Sequence, residues 1–508
     1  MLFNSVAFIF VFLPVVLALT YVAARSRHKH IAADVVLLAS LLFYGWWDYT
    51  RLPLLVGMIV VNHLLARVMW KWPGGKTSCL FAAVVLNVGL LAYFKYRGFI
   101  LGDVLGLPGI STESATASLP LGISFFTFQQ LAWLFDSARP GADRTPLPTY
   151  ALFVTFFPQL IAGPIVHHAE LVPQLTRPTF GIVRPRTFAA GVSLFVIGLA
   201  KKVMGADFFA PFADAAFQAA GQGSLLQCGQ AWVGLGAYAC QIYFDFSGYS
   251  DMALGLGLLF GVVLPANFAS PYKAQDIADF WRRWHITLSR FLRDFVYIPL
   301  GGNRLGSLRT SFNLIATMVI GGLWHGAGYP FILWGLLHGI LLAIAHFHRR
   351  GLSTGLRWWP RLGPAAWGVT FIAILLTWVP FRADTITTAG RMYRSLFSPL
   401  VDFVCLVARP TETTVTVPLN LPMVGDMATV AVLLGLLACV SLPCTVDIFR
   451  KYLRTENSHY PLAADGRLTR WLRWRPSAFW AVITGVLLFF SIMDLLSASP
   501  SPFLYFQF

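Results

Sequence analysis

The sequence predicts an all-α integral membrane protein with about eleven to fourteen membrane helices and re-entrant segments. Of the 508 residues, 57% are hydrophobic and only 12% are charged, whereas about 25% are charged in an average soluble protein. The mean hydropathy is +0.66. Apolar stretches able to cross a roughly 30 Å hydrocarbon core as helices recur along the chain. They include residues 6–24, 31–47, 80–93, 427–446 and 478–493.

The first apolar stretch is predicted to be a retained membrane helix. It lacks a small-residue cleavage site, and its basic cluster, Arg25 to His30, follows the apolar run instead of preceding it. Basic clusters recur between later stretches. An outside amino terminus would place these clusters on the cytoplasmic side, where loops carry an excess of Lys and Arg.

Net charge and cysteine usage indicate neither nucleic-acid binding nor a cysteine-bound metal. The formal charge is +16, but the basic residues form short clusters between apolar stretches and no recognised nucleic-acid motif, so we expect no nucleic-acid partner. Six cysteines lie scattered without a CxxC pair. They are predicted to be small buried hydrophobes and not disulfides or metal ligands.

The whole chain, residues 1–508, is predicted to form one transmembrane domain. Its most motif-rich part covers about 120–348, and C-terminal helices occupy 364–508. Segments 102–118 and about 382–423 are rich in loop-forming residues and are predicted to lie outside the membrane. Neither is long enough to be a separate enzyme domain, and we find no internal repeat.

The segment from Asp276 to Arg309 predicts an amphipathic helix at a membrane surface. Its apolar residues follow helical spacing, and His285 lies on the flank of that apolar face. Arginines such as Arg282 and Arg283 match phosphate geometry and could hold the phosphates of coenzyme A. The alternative is a basic, Trp-rich interfacial helix without any catalytic role.

His325 is the second candidate, in the segment MVIGGLWHGAGYP at 318–330. Gly322 and Gly326 form a GxxxG pair, which permits close approach of a helix or a slender acyl chain. An ionisable residue inside a membrane is a functional candidate because its polarity costs free energy there. The alternative is a core histidine that is bonded to a backbone carbonyl.

These histidines favour acyl transfer over other chemistry. The sequence has no nucleophile elbow, P-loop, GxGxxG or HExxH pattern, and hence no site of a familiar hydrolase, nucleotide-binding protein or metalloprotease. A histidine that titrates near neutrality can take the proton from a hydroxyl as it attacks a thioester. The predicted catalytic residues are His325 and His285, with no metal.

Eight segments together resemble the alginate O-acetyltransferase branch of the membrane-bound O-acyltransferase family. They are FYGWWD at 43–48, GISFFTFQQ at 122–130, FFPQLIAGPI at 156–165, YFDFSGYSDMALG at 243–255, LPANFASPY at 264–272, FWRRWHITLSRFLRD at 280–294, GGLWHG at 321–326 and FLYFQF at 503–508. The resemblance therefore covers the chain from end to end.

The resemblance implies a barrel-like set of helices around a central funnel or tunnel in a bacterial inner membrane. It implies that His325 is indispensable and that His285 is a second active-site residue. No cofactor would be bound permanently, and acetyl-coenzyme A would be the cytoplasmic acyl donor. A periplasmic partner of the SGNH hydrolase type would complete the transfer, so contact with the polysaccharide would be indirect. Alginate is the expected polymer.

The sequence is also compatible with other acceptors and other functions. Cellulose, another exopolysaccharide or peptidoglycan could replace alginate as the acceptor. A secondary transporter could use Asp245 and Asp251 as coupling-ion ligands, although the two related halves common in such folds are not found. A non-catalytic assembly subunit could use the basic loops to bind partners. Tyr249, Ser250, Asp251 and Asp245 could line a tunnel or satisfy one another at a helix break near Gly248.

Overall fold

All regular elements in the described part of the chain are helices, which confirms the all-α prediction. The structure, a computed structural model, describes residues 1–28, 30–107, 119–139, 141, 144–161, 163–351, 364–398, 426–453, 466–497 and 501–504. Most of the two segments predicted to lie outside the membrane, 102–118 and 382–423, falls outside these residues.

The α-helices of the described residues are numbered in chain order. The first eleven are α1 (Leu13–Ala24), α2 (Ile31–Trp47), α3 (Leu52–Lys71), α4 (Lys76–Leu91), α5 (Ile123–Ser137), α6 (Leu147–Thr155), α7 (Phe157–Leu160), α8 (His168–Leu175), α9 (Pro185–Ala200), α10 (Asp207–Gly221) and α11 (Cys228–Leu259). The others are α12 (Ile277–Arg283), α13 (Ile286–Leu292), α14 (Ser307–His325), α15 (Tyr329–Gly351), α16 (Pro364–Arg382), α17 (Ile386–Leu396), α18 (Asp426–Ser441), α19 (Thr445–Ile448), α20 (Arg450–Leu453), α21 (Arg467–Trp471) and α22 (Ala478–Ser497).

Shorter π-helical and 3₁₀ stretches join or extend several of these helices. The π-helical stretches are Phe8–Phe12, Ala92–Tyr96, Phe99–Val104, Lys201–Ala206 and Arg293–Tyr297, and the 3₁₀ turns are Pro73–Gly75 and Pro271–Lys273.

Six helices in the described ranges are long and apolar enough to cross a membrane. They are Leu52–Lys71, Lys76–Tyr96, Pro185–Gly221, Tyr329–Arg349, Pro364–Arg382 and Ala478–Ser497. Three shorter apolar helices, Phe8–Ala24, Ile31–Trp47 and Met427–Ser441, accompany them. The protein is therefore a multi-pass membrane protein. The total of eleven to fourteen membrane segments and the central tunnel stay predictions.

The chain forms two compact units. The first comprises residues 1–200, 247–267 and 445–507. In this unit Gly198 lies against the carboxyl-terminal part of α11, where a Cβ would come within 2.5 Å of the carbonyl oxygen of Gly248. The helices are thus packed backbone to backbone. The rings of Phe3, Phe8, Phe12, Phe43 and Phe157 form an aromatic cluster in the same unit.

The predicted helix break near Gly248 is wrong, because α11 runs without interruption from Cys228 to Leu259. Gly248 contributes close packing to a continuous helix. The polar residues after it bond to other segments of the first unit. The Oγ1 of Thr445 donates to the Oδ2 of Asp251 at 2.6 Å, and the Nδ2 of Asn267 donates to the Oγ of Ser250 at 3.2 Å.

The second unit comprises residues 201–246 and 268–444. Its central feature is the hairpin of α14 and α15, whose backbones touch at glycines. A Cβ at Gly322 would overlap the carbonyl oxygen of Phe331, and a Cβ at Gly335 would overlap that of Met318. Small residues permit such close approach in membrane helices. The predicted role of Gly322 in close helix packing is therefore confirmed.

A buried ion pair stabilises the second unit. The Nζ of Lys202 lies 2.8 Å from the Oδ1 of Asp245 and 2.8 Å from the Oδ1 of Asp207. The side chains of Lys202 and Asp245 are 3% and 2% exposed, whereas that of Asp207 is 30% exposed. Breaking a buried pair leaves one charge without compensation, which is costly in a low-dielectric interior.

We predict that Lys202→Met lowers the free energy of unfolding by about 3 to 5 kcal/mol, because the Asp245 carboxylate would remain buried without its cation. Asp207→Asn is the matched control. It removes the more exposed carboxylate and should cost less than about 1 kcal/mol. Thermal unfolding in detergent measures both variants. Equal stability losses would show that burial of Asp245 does not govern this interaction.

Candidate active site

His325 is the last residue of α14 and is 4% exposed. The helix ends there because Gly326 has an extended backbone, with φ −157° and ψ 152°. The N–H of Gly326 still bonds to the carbonyl of Gly322 at 3.3 Å. After two further residues α15 begins at Tyr329, and Pro330 suits its first turn because the proline ring fixes φ. The chain therefore presents His325 at a helix terminus.

Aromatic side chains enclose the His325 ring. The ring centroids of Trp324, Trp334 and Phe381 lie 4.9, 5.0 and 5.1 Å from that of the imidazole. Trp334 belongs to α15 and Phe381 to α16, so three helices of the second unit contribute to this enclosure. Such an enclosure shields the imidazole from bulk water.

The structure corrects the predicted continuous helix around His285. The carboxylate of Asp276 caps α12 by accepting a hydrogen bond from the Asp279 N–H at 2.8 Å, but α12 ends at Arg283. Trp284 is extended, with φ −99° and ψ 129°. His285 adopts a left-handed backbone, with φ 42° and ψ 55°, and α13 begins at Ile286.

The two residues at this break have buried side chains. Trp284 is 2% exposed and His285 is fully buried. Phe280 and Trp281, two consecutive residues on α12, are also buried, so this apolar face packs against protein. A left-handed non-glycine residue costs roughly 1–2 kcal/mol. The packing of these two rings offsets that cost.

The two predicted catalytic histidines lie close together in the second unit. Their ring centroids are 6.4 Å apart, with an interplanar angle of 60°. The Phe246 ring packs edge-on against His285 at 4.7 Å, and Trp324 lies 6.0 Å from His285. The fold therefore brings His285 and His325 from separate elements into one enclosed group. Their catalytic roles stay predictions.

The two arginines proposed to face phosphates differ in their surroundings. The Nε of Arg283 donates to the Oδ1 of Asp279 at 3.0 Å, and its Nη1 donates to the Ala269 carbonyl at 3.2 Å. Arg282 is exposed. Arg283 is thus engaged within the protein, and Arg282 is the better candidate for an anionic ligand.

An ion pair at the start of α12 holds this helix to the end of α15. The Nη2 of Arg349 donates to the Oδ2 of Asp276 at 2.6 Å. Partial burial acts to raise the pKa of the Asp276 carboxyl. The hydrogen bonds from Arg349 and from the Asp279 N–H outweigh burial and hold that pKa below its usual range.

His338 also belongs to this group, although the sequence alone did not indicate it. Helical spacing could not place it beside His325, because residues 326–330 interrupt the helix between them. The hairpin instead places Trp334 between the two histidines, 5.0 Å from His325 and 4.8 Å from His338. The four-residue spacing of Trp334 and His338 on α15 was the available signal.

The candidate transporter residue Asp245 is paired with Lys202, as described above. Among the described residues, no group of three or more His, Cys, Asp or Glu side chains is placed to hold a metal ion. Five cysteines, Cys79, Cys228, Cys240, Cys439 and Cys444, have free thiols. The sixth, Cys405, lies outside the part of the chain that the structure describes.

The sequence model of the membrane-bound O-acyltransferase family matches residues 38–380. The chain is 43% identical over 424 residues to a peptidoglycan O-acetyltransferase of Helicobacter pylori, covering 78% of this chain and 80% of that protein.

Two further relatives carry the name probable alginate O-acetylase AlgI. The one from Pseudomonas aeruginosa is 40% identical over 414 residues, covering 78% of this chain and 75% of the relative. The one from Pseudomonas putida is 38% identical over 519 residues and covers 100% of both chains.

We predict that His285→Gly gives a more stable protein than His285→Ala, by about 1 kcal/mol in free energy of unfolding. Both variants lose the imidazole, but only glycine adopts the left-handed backbone without steric cost. Thr287, inside α13, provides the matched control. There glycine should be less stable than alanine by about 1 kcal/mol. Thermal unfolding in detergent measures all four, and the same order at both positions would contradict the left-handed assignment.

Proposed function

The chain belongs to the membrane-bound O-acyltransferase family and is an O-acyltransferase, and we propose that it passes acetyl groups toward an exported polysaccharide. The observation that carries the proposal is the enclosed pair of histidines, whose ring centroids lie 6.4 Å apart. A general base acts within roughly 2.6–3.2 Å of the atom whose proton it takes. A small acyl group held between these rings would contact both.

In the proposed reaction, His325 takes the proton from an acceptor hydroxyl as the hydroxyl oxygen attacks the acyl carbon. The thiolate of the donor leaves as the new ester forms, and it receives the proton from His325. His285 holds the reacting group in place from the other side. Enclosure by Trp324, Trp334 and Phe381 favours transfer over hydrolysis because it limits access of water to the acyl carbon.

The proposed donor is acetyl-coenzyme A on the cytoplasmic side. Its phosphates are anionic, and the exposed Arg282 lies three residues before His285. A guanidinium group binds phosphate through paired hydrogen bonds. No permanently bound cofactor is needed, because base-assisted attack on a thioester uses only the imidazole.

We further propose a relay in which the acetyl group crosses the inner membrane and a periplasmic partner of the SGNH hydrolase type completes the transfer. A hydrated, charged polysaccharide would lose several kcal/mol or more for each charge that enters a low-dielectric interior. A small, neutral acetyl group avoids that cost. The polymer therefore stays outside, and its contact with this chain is indirect.

Alginate is the polymer we propose first, because a relative that aligns over the full length of both chains is a probable alginate O-acetylase. A specific observation also favours peptidoglycan as a second candidate. The peptidoglycan O-acetyltransferase relative is 43% identical over 424 residues. Ester-linked acetate measured on both polymers isolated from the same cells distinguishes the two acceptors.

We predict that His325→Ala and His325→Phe both abolish acetylation of the polymer while the protein remains abundant in the membrane. Loss of a general base costs about 10² to 10⁴ in rate, and phenylalanine restores the ring volume without a basic nitrogen. His63→Phe is the matched control. This histidine is also buried and stacks on Trp133, but it lies in the first unit. Normal acetylation by an abundant His325 variant would refute the catalytic assignment.

We predict that the purified protein reacts with radiolabelled acetyl-coenzyme A but leaves polymer unlabelled until the periplasmic partner is added. Labelled polymer, released coenzyme A and protein-bound label are measured separately. The His325→Ala protein with the partner present is the control for transfer that bypasses this chain. Polymer labelling at the full rate without the partner would refute the relay and leave a self-sufficient transferase.

A further inference from the structure

A buried side-chain hydrogen bond joins the helix that precedes His285 to the helix that follows His325. The Nε1–H of Trp281 on α12 donates to the Nδ1 of His338 on α15 at 3.2 Å. Trp281 is 7% exposed and His338 is fully buried. The Asp276–Arg349 pair provides a second, more exposed connection between the same helices.

The hairpin fixes His338 relative to His325. Besides Gly322 and Gly335, Gly339 lies next to His338 in sequence and packs on α14, where a Cβ would come within 2.6 Å of the Ile315 Cα. Close backbone contacts of this kind leave little room for one helix to slide along the other. The packing of α15 on α14 therefore sets the position of the His338 Nδ1 relative to His325.

Trp281 connects the position of His338 to that of His285. It lies four residues before His285, and the helix between them ends at Arg283. The Trp281 ring also lies 5.8 Å from Trp334, which itself packs on His325. The contacts of Trp281 thus hold α12 against α15 immediately before the turn at His285.

We propose that Trp281 and His338 are positioning residues, whose hydrogen bond sets the placement of His285 relative to His325. The inference rests on the proposed acyltransferase role of these two histidines. Neither Trp281 nor His338 is assigned a contact with the reacting atoms.

The chemistry of the bond specifies its protonation state. An indole N–H can only donate, so the Nδ1 of His338 must be the acceptor and the proton of the neutral ring lies on Nε2. Phenylalanine at position 281 keeps an aromatic ring but removes the donor. Leucine at 338 removes the acceptor, whereas the Oε1 of glutamine replaces it.

The test is a double-mutant cycle with Trp281→Phe, His338→Leu and the double variant. The rate measured is the labelling of polymer by purified protein, with radiolabelled acetyl-coenzyme A as donor and the periplasmic partner present. Each single variant should lower kcat by about tenfold with little change in KM for the donor, because misplacement by about 1 Å is costly in rate. The double variant should be no slower than either single variant. His338→Gln should recover most of the rate lost in His338→Leu.

Trp232→Phe is the matched control. It removes another indole donor from the second unit, one that bonds to the Leu396 carbonyl at 3.2 Å. This variant should keep the full kcat. Multiplicative losses in the cycle, or equal rates for His338→Gln and His338→Leu, would overturn the proposal. If wild-type protein were active and His325→Ala equally active, the proposed function itself would fail, which is a different outcome.

Discussion

Backbone contact between α14 and α15 is the constraint on which the candidate site depends. Gly322 and Gly335 allow each helix to reach the main chain of the other. The chain reverses between them through Gly326 and Gly328, so His325 lies at the end of one helix, 5.0 Å from Trp334 of the next. A side chain at Gly322 would separate the helices and remove that enclosure. The glycines therefore determine the surroundings of His325 by permitting close packing of the two helices.

The left-handed backbone at His285 is the second constraint on the site. An unfavourable backbone conformation persists only where surrounding contacts determine it, and such residues cluster at functional sites. Here Phe246 packs on the His285 ring at 4.7 Å, and Trp284 stacks on Phe280 at 5.6 Å. Trp284 and His285 at this turn are both in the interior. His285 thereby becomes part of an enclosed pair and not of a membrane-surface face.

Features with a local physical cause could be predicted from the sequence. The apolar stretches required helices, and the glycines with Pro330 marked the helix end at His325. The turn at Trp284 could not be predicted, because Ile277 to Phe295 keep helical periodicity throughout. At Gly248 the sequence suggested a helix break that the structure does not have. Glycine in a membrane helix permits close packing as well as bending. The contribution of His338 required knowledge of the hairpin.

The central claim is that one acyl group lies between His325 and His285. A structure of the protein with a non-reactive thioether analogue of acetyl-coenzyme A tests it most directly. The account predicts the two-carbon group of the analogue within contact distance of both imidazoles, beside Trp334 and Phe381, with the phosphates toward Arg282. An acyl group bound elsewhere in the protein, with both imidazoles still enclosed as they are here, would contradict it.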